Sequence, residues 1–146
     1  MNPHDKTERS QTERISFELE LFHPPEKVWR ALTDPQLLSE WLLPIAALDL
    51  QPGAEFRFTA PPQPEWDGIV NGRILEADAP RKLSYSWVVG DLDTVVTFTL
   101  KPTESGTWLS ILHSGFQESQ KRNFGGARYG WGLMSDRLVE LLSRTS

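Results

Sequence analysis

The hydrophobic and polar positions along the chain form a series of short alternating segments that ends in one long helical pattern. From Ile15 to Phe22, apolar residues alternate with Ser16, Glu18 and Glu20, which is typical of a half-buried β-strand. Near the C-terminus, apolar residues recur at the spacing of one helix face: Trp131, Met134, Leu138, Leu141 and Leu142. Because this helix follows several strands, we expect its apolar face to pack against a sheet.

Two short helices are predicted directly after the first strand. His23-Pro24-Pro25 ends that strand, and proline suits the first positions of a helix, where its missing N–H costs no hydrogen bond. Asp34 is placed to cap a second helix that begins at Pro35. The two helices are therefore expected to follow one another with almost no loop.

Further strands are predicted after these helices, separated by turn residues. Pro52-Gly53 has the residue types of a type II turn, and Gly90-Asp91 marks a later turn. Short turns favour antiparallel neighbours, and the polar segment from Gln117 to Gly126 is expected to link the last strand to the C-terminal helix. The predicted strands are Ile45–Leu50, Ala54–Thr59, Trp66–Ala77, Lys82–Val89, Thr94–Leu100 and Thr107–Phe116.

The first 14 residues differ in composition from the rest of the chain. They contain no apolar side chain after Met1, which predicts a disordered leader over residues 1–14. The remaining residues, 15–146, show no internal repeat, and their number suits one hydrophobic core. We therefore predict a single domain there.

Charge and hydropathy exclude several classes of partner. The chain has 15 Lys and Arg against 20 Asp and Glu, and no basic cluster that could neutralise a row of phosphates. The longest nearly apolar run, Trp41 to Leu50, is interrupted by Pro44 and is much shorter than the roughly 20 residues of a membrane span. We therefore expect a cytoplasmic protein without a nucleic-acid or membrane partner.

Few residues are candidates for chemistry. The sequence has no cysteine, so thiolate metal sites and cysteine nucleophiles are excluded, and its three histidines show no metal-binding spacing. Alternation places His113 on the same face as Leu109 and Ile111, where it could act as an acid or base. Glu76 is a second candidate. The alternatives are a hydrogen-bonded structural imidazole and a glutamate that faces water. We predict no metal and no cofactor.

The order of the elements, together with several local motifs, resembles a known family. The motifs are residues 24–35, Trp41, Pro52-Gly53, residues 72–76, 80–87, 95–100 and 113–116, and Gly130-Trp131. They resemble the family named after the C-terminal domain of the heat-shock protein 90 ATPase activator, within the START-like (SRPBCC, Bet v 1-like) superfamily. The resemblance extends from Ile15 to Leu142. It implies an α+β helix-grip fold, in which a curved antiparallel sheet wraps around the C-terminal helix and two short helices close a cavity.

The superfamily uses that cavity for lipids, sterols, polyketides and other apolar molecules, so the resemblance implies non-catalytic binding of a small hydrophobic or aromatic ligand. The six Trp, seven Phe and two Tyr suit such a cavity, although large rings also fill ordinary cores. A polyketide cyclase or hydrolase that uses His113 or Glu76 is one alternative, and a chaperone-associated interaction module is another. The predicted cavity residues are Trp41, Phe56, Phe58, Trp66, Tyr85, Trp87, Phe98, His113, Phe116, Trp131, Met134 and Leu138.

The glycines beside Trp131 allow two interpretations. Glycine inside a helix is about 1 kcal/mol less favourable than alanine, so the helix could begin only near Trp131. Alternatively, Gly130 and Gly132 leave space at the mouth of the cavity. On the second interpretation, Gly130 to Met134 forms the cavity wall, and Leu138 to Leu142 is ordinary packing.

Overall fold

A computed structural model describes residues 2–8, 13–62, 64 and 66–145. In this part of the chain, one antiparallel sheet has six strands in the order β1-β6-β5-β4-β3-β2, and the helices lie against it. The predicted α+β helix-grip fold is confirmed. The elements in chain order are β1 (Arg14–Leu21), α1 (Pro25–Thr33), α2 (Pro35–Trp41), β2 (Glu55–Thr59), β3 (Ile69–Asp78), β4 (Lys82–Val89), β5 (Leu92–Pro102), β6 (Thr107–Ser114) and α3 (Lys121–Arg144).

The strand predicted at Ile45–Leu50 is wrong. This segment makes only an isolated bridge, from Ile45 to Phe58 of the edge strand β2. Leu48 and Leu50 are partly buried against the core, so they contribute apolar contacts without a hydrogen-bonded ladder. The apolar residues of this segment therefore indicate that it is buried, not that it forms a strand, and the sheet has six strands rather than seven.

Residues 2–8, predicted to belong to a disordered leader, instead lie along the edge strand β1. The Lys6 N–H donates to the Ser16 carbonyl at 2.7 Å, and the Glu18 N–H donates to the His4 carbonyl at 2.9 Å. The backbone of residues 2–8 thus covers a sheet edge that would otherwise expose unpaired N–H and C=O groups. Such pairing needs no apolar side chain, so an entirely polar segment can be ordered in this way. The part of the predicted leader at residues 1 and 9–12 lies outside the described residues.

Helix α3 begins ten residues before Trp131. The observed link between β6 and α3 is therefore much shorter than the predicted segment from Gln117 to Gly126. After β6 the chain makes one 3-10 turn, Glu118–Gln120, and α3 follows at once. Phe124 is buried, and its ring centroid lies 5.3 Å from that of Phe116. This tertiary contact holds the first turns in helical form despite four glycines, and it excludes the interpretation that the helix begins near Trp131.

The opposite end of α3 is fastened to α1 by a lysine. The Lys27 ammonium donates to the carbonyls of Leu142 and Thr145, at 2.8 and 2.7 Å. These carbonyls have no partner within the helix, and a cation at a helix C-terminus also interacts favourably with the helix dipole. Leu138, Leu141 and Leu142 are fully buried. The C-terminal end of α3 is therefore fixed.

Candidate functional site

A cavity of about 640 Å³ lies between one side of α3 and the strands that face it. The helix contributes residues that recur every three or four positions, so they share one side of it. These residues are Arg122, Asn123, Gly126, Ala127, Gly130, Trp131, Leu133, Met134 and Arg137. The opposite wall is apolar apart from one imidazole. It consists of Leu42 and Leu43 after α2, Trp66, Val70, Trp87, Val89, Leu92 and His113.

Two indole rings form the junction between the helix and the sheet. The ring centroids of Trp87, on β4, and Trp131, on α3, are 5.9 Å apart. Behind them, Trp131 also meets Phe98 edge-on at 6.1 Å. These separations fall in the favourable range for aromatic pairs. The cavity floor is therefore a rigid aromatic surface that neither element could make alone.

His113 is held by hydrogen bonds at both ring nitrogens. The Trp131 Nε1–H donates to His113 Nδ1 at 3.0 Å, so Nδ1 is the acceptor and the proton of the neutral ring lies on Nε2. This Nε2–H donates to Thr94 Oγ1 at 2.7 Å, and the Thr94 hydroxyl donates to the Trp87 carbonyl at 2.7 Å. The chain of hydrogen bonds links α3 to three neighbouring strands and leaves no ring nitrogen unoccupied.

The same environment keeps His113 neutral. Burial lowers the pKa of His113 to about 3, because the charged imidazolium loses its hydration in an apolar surrounding. Protonation of Nδ1 would also place a second donor against the Trp131 N–H. His113 therefore matches the structural alternative considered for it, a buried and hydrogen-bonded neutral imidazole.

The structure places five of the predicted cavity residues on the wall and seven elsewhere. Those on the wall are Trp66, Trp87, His113, Trp131 and Met134. The other seven contribute to the packing around it: Trp41, Phe56, Phe58, Tyr85, Phe98, Phe116 and Leu138.

Two of these seven show why an inward-facing ring need not reach the cavity. The Trp41 indole is fully buried and donates to the Ala31 carbonyl at 2.8 Å, which joins α2 to α1. Phe56 lies over Gly72 on the neighbouring strand, where even a Cβ atom would clash with its ring. Both rings therefore pack between neighbouring elements and do not reach the cavity.

Glu76 lies away from the cavity. Strict alternation would place it on the same face as Val70 and Ile74, but the β3–β4 register shifts between Ile74 and Glu76. Its carboxylate lies 3.3 Å from the Lys82 ammonium, and its side chain is 51% exposed. The bulge and the nearby strand end thus direct Glu76 toward solvent rather than toward the wall.

Several wall residues that the sequence prediction missed lie on α3, among them Asn123, Ala127 and Arg137. Together with Gly130 and Met134, which the prediction included, they are spaced by 4, 3, 4 and 3 positions, a regular helical side. The pattern was visible in the sequence, but it required a helix that extends well before Trp131. Gly130 lies on the wall, whereas Gly132 faces Asn2 of the N-terminal segment.

The fold and the cavity define a helix-grip domain with an aromatic-lined interior space. Among the described residues, no group of three His, Asp or Glu side chains is placed to hold a metal ion. No helix in the described ranges is long and apolar enough to cross a membrane.

Comparison with known proteins agrees with this class. Residues 23–143 match the family described as activator of Hsp90 ATPase homolog 1-like protein, and the chain belongs to that family. The fold and the family both identify it as a START-like (SRPBCC) protein. A comparison with curated protein sequences found no match.

Several solved structures are similar. Protein MLL2253 from Mesorhizobium loti is 39% identical, with a TM-score of 0.84, and the match covers 91% of this chain and 98% of that one. NE0264 from Nitrosomonas europaea is 26% identical over 94% of this chain and 99% of its own, with a TM-score of 0.76. CalU16 from Micromonospora echinospora is 26% identical, covers 96% and 83%, and has a TM-score of 0.73.

Proposed function

We propose that this protein binds a small apolar or aromatic molecule in the cavity beside α3 and does not transform it. The observation that carries the proposal is an aromatic-lined space of about 640 Å³. Ligand sites usually occupy about 300–1,000 Å³ and are mostly apolar with few polar groups. Residues 15–146 would act together as the binding domain, because strands, the segment that follows α2, and α3 all contribute to the cavity wall.

The state of His113 supports binding over catalysis. General acid or base catalysis requires a group whose pKa lies near the working pH and which reaches the substrate. His113 has a pKa of about 3, and both of its nitrogens are already hydrogen-bonded. Glu76 is paired with Lys82 outside the cavity. Neither residue named for the cyclase or hydrolase alternative is therefore placed to supply the acid or base that such a site needs.

The membership of the family is compatible with either small-molecule binding or protein binding. The cavity favours small-molecule binding, because its apolar wall belongs to elements that pack tightly everywhere else. Trp87 belongs to the continuous core and Met134 is partly buried against it, so the cavity directly borders well-packed apolar residues. Open space at this point of the fold is therefore the feature that a ligand would use.

Titration with neutral apolar probes tests the proposal. 1-Decanol and naphthalene should change the tryptophan emission, because Trp66, Trp87 and Trp131 lie on the cavity wall. Calorimetric titration of the same probes should give saturable binding at about one molecule per chain. A Trp131→Phe variant should retain binding with a smaller optical signal. If no apolar probe gives either binding heat or a change in tryptophan emission, the proposal is contradicted.

A further inference from the structure

The charged residues around the cavity all have the same sign. Within the described part of the chain, the charged side chains that line it are Arg122 and Arg137, and no carboxylate contributes to the wall. This is notable because the chain as a whole carries a net charge of −5. An apolar cavity with a cationic rim in an acidic protein favours a ligand that bears an anionic group.

Arg137 is the better placed of the two arginines. It follows Leu133 and Met134 by one helical turn, and both of these residues line the cavity. Its side chain is exposed, and it makes no ion pair with any described residue. Other arginines on α3 are occupied: Arg128 lies 2.6 Å from Asp5, and Arg144 lies 3.4 Å from Glu40. The Arg137 guanidinium is thus available to a ligand.

Arg122 lies at the other end of the same side of α3. The 15 residues that separate it from Arg137 correspond to about 22 Å along a helix, so one acidic group can contact only one of them. Arg122 is also engaged in an interaction of its own. These two facts assign the anionic group to the Arg137 end.

We propose that the cavity takes an apolar carboxylic acid whose carboxylate pairs with Arg137. This inference rests on the proposed binding function and specifies the class of ligand. A guanidinium presents a planar pair of N–H donors that matches a carboxylate, which a neutral hydroxyl cannot reproduce. The tail of the ligand then lies against Met134 and the Trp87–Trp131 pair, where burial of methylene groups supplies most of the affinity.

A matched pair of probes separates the acid from the tail. Decanoate and 1-decanol have the same chain length and differ at the head group. Both should be titrated by calorimetry at pH 7.5 into the wild-type chain, Arg137→Gln, Arg137→Lys, Arg122→Gln and Arg144→Gln. The last variant removes the same charge from α3 at a site remote from the cavity. Binding of 1-decanol shows for each variant that the domain is folded.

The wild-type protein should bind decanoate about tenfold more tightly than 1-decanol, and about 0.5 M salt should reduce this preference. Arg137→Gln should abolish it, Arg137→Lys should retain only part of it, and Arg144→Gln should preserve it. Equal wild-type affinities for the two probes would overturn the carboxylate assignment and leave the proposed binding function intact. A preference lost in Arg122→Gln but kept in Arg137→Gln would overturn the role of Arg137. If neither probe binds, both proposals fail.

Discussion

Filling the cavity from the helix side should separate ligand binding from stability. Gly130 lies on the cavity wall, and a Cβ atom added there would meet only Met134 Cε, at the ordinary contact distance of 3.8 Å. Gly130→Leu therefore projects a branched side chain into open space. Gly125→Leu is the matched control, because a Cβ at Gly125 meets nothing within 4 Å and this residue lies on the side of α3 near Asp5.

Both substitutions should stabilise the fold by a similar amount. Each replaces a glycine inside α3 with a good helix former, which is worth about 0.5–1 kcal/mol in the free energy of unfolding. Neither position requires a positive φ, so leucine introduces no backbone strain. Urea denaturation monitored by tryptophan emission should therefore show a higher midpoint for both variants than for the wild-type protein.

Binding should distinguish the two variants. Leucine at position 130 adds about four carbon atoms to the cavity and excludes a similar number of ligand carbons. At about 0.8 kcal/mol per buried methylene, the loss is about 3 kcal/mol, or on the order of a hundredfold in the dissociation constant. Calorimetric titration with 1-decanol measures it directly. Wild-type affinity in Gly130→Leu, or an equal loss in Gly125→Leu, would refute the assignment of the ligand to this cavity.

Three further predictions concern polar groups in and around the core. The pKa of His113 in the folded protein lies near 3, below the ordinary 6.5. Its contribution to the free energy of unfolding is therefore complete above pH 6.5 and decreases as the pH is lowered. Urea titrations should show a loss of about 2 kcal/mol from pH 6.5 to 4.5 that His113→Gln largely removes; an equally steep loss in the variant would contradict this. The buried Tyr85 hydroxyl has no partner among the described residues, so Tyr85→Phe should raise the free energy of unfolding by about 1 kcal/mol, and a clear loss would show a missed contact. Lys27→Met should lower it by about 1–3 kcal/mol, because the Leu142 carbonyl loses its donor; an unchanged value would show that this contact contributes little.

Local chemistry predicted much of the fold. Strict alternation identified β4 at its observed ends, Lys82 and Val89, because the large side chains of Leu83, Tyr85 and Trp87 share its buried face. The cap at Asp34 is also observed, since its side chain accepts from the Gln36 N–H at 2.9 Å. Gly53 has a φ of 88°, as a type II turn requires. Each of these features depends on neighbouring residues alone.

Features that depend on distant contacts were predicted less well. The start of α3 at Lys121 relies on the packing of Phe124 against Phe116, which overrides the low helix propensity of the glycines. The order of residues 2–8 relies on the open edge of β1, which no local pattern in that segment reveals. Both features became visible only once the sheet and the helix were placed together.

The site shows the same division. Alternation placed His113 and Trp87 on the inner face of the sheet, and helical spacing placed Trp131 and Met134 opposite them. Periodicity could not show which inward rings face open space and which meet another ring. Tyr85, for example, is fully buried, and its ring centroid lies 5.0 Å from that of Phe56. That distinction depends on volumes filled by several elements at once.

The most direct test of the account is native mass spectrometry of the wild-type protein and Gly130→Leu, each purified from the source organism. The wild-type spectrum should contain a species heavier than the polypeptide by one small apolar acid, which is released on denaturation. The Gly130→Leu spectrum should contain the polypeptide alone. A wild-type spectrum with only the mass of the polypeptide, or the same bound molecule in both proteins, would contradict the claim that this cavity holds the ligand.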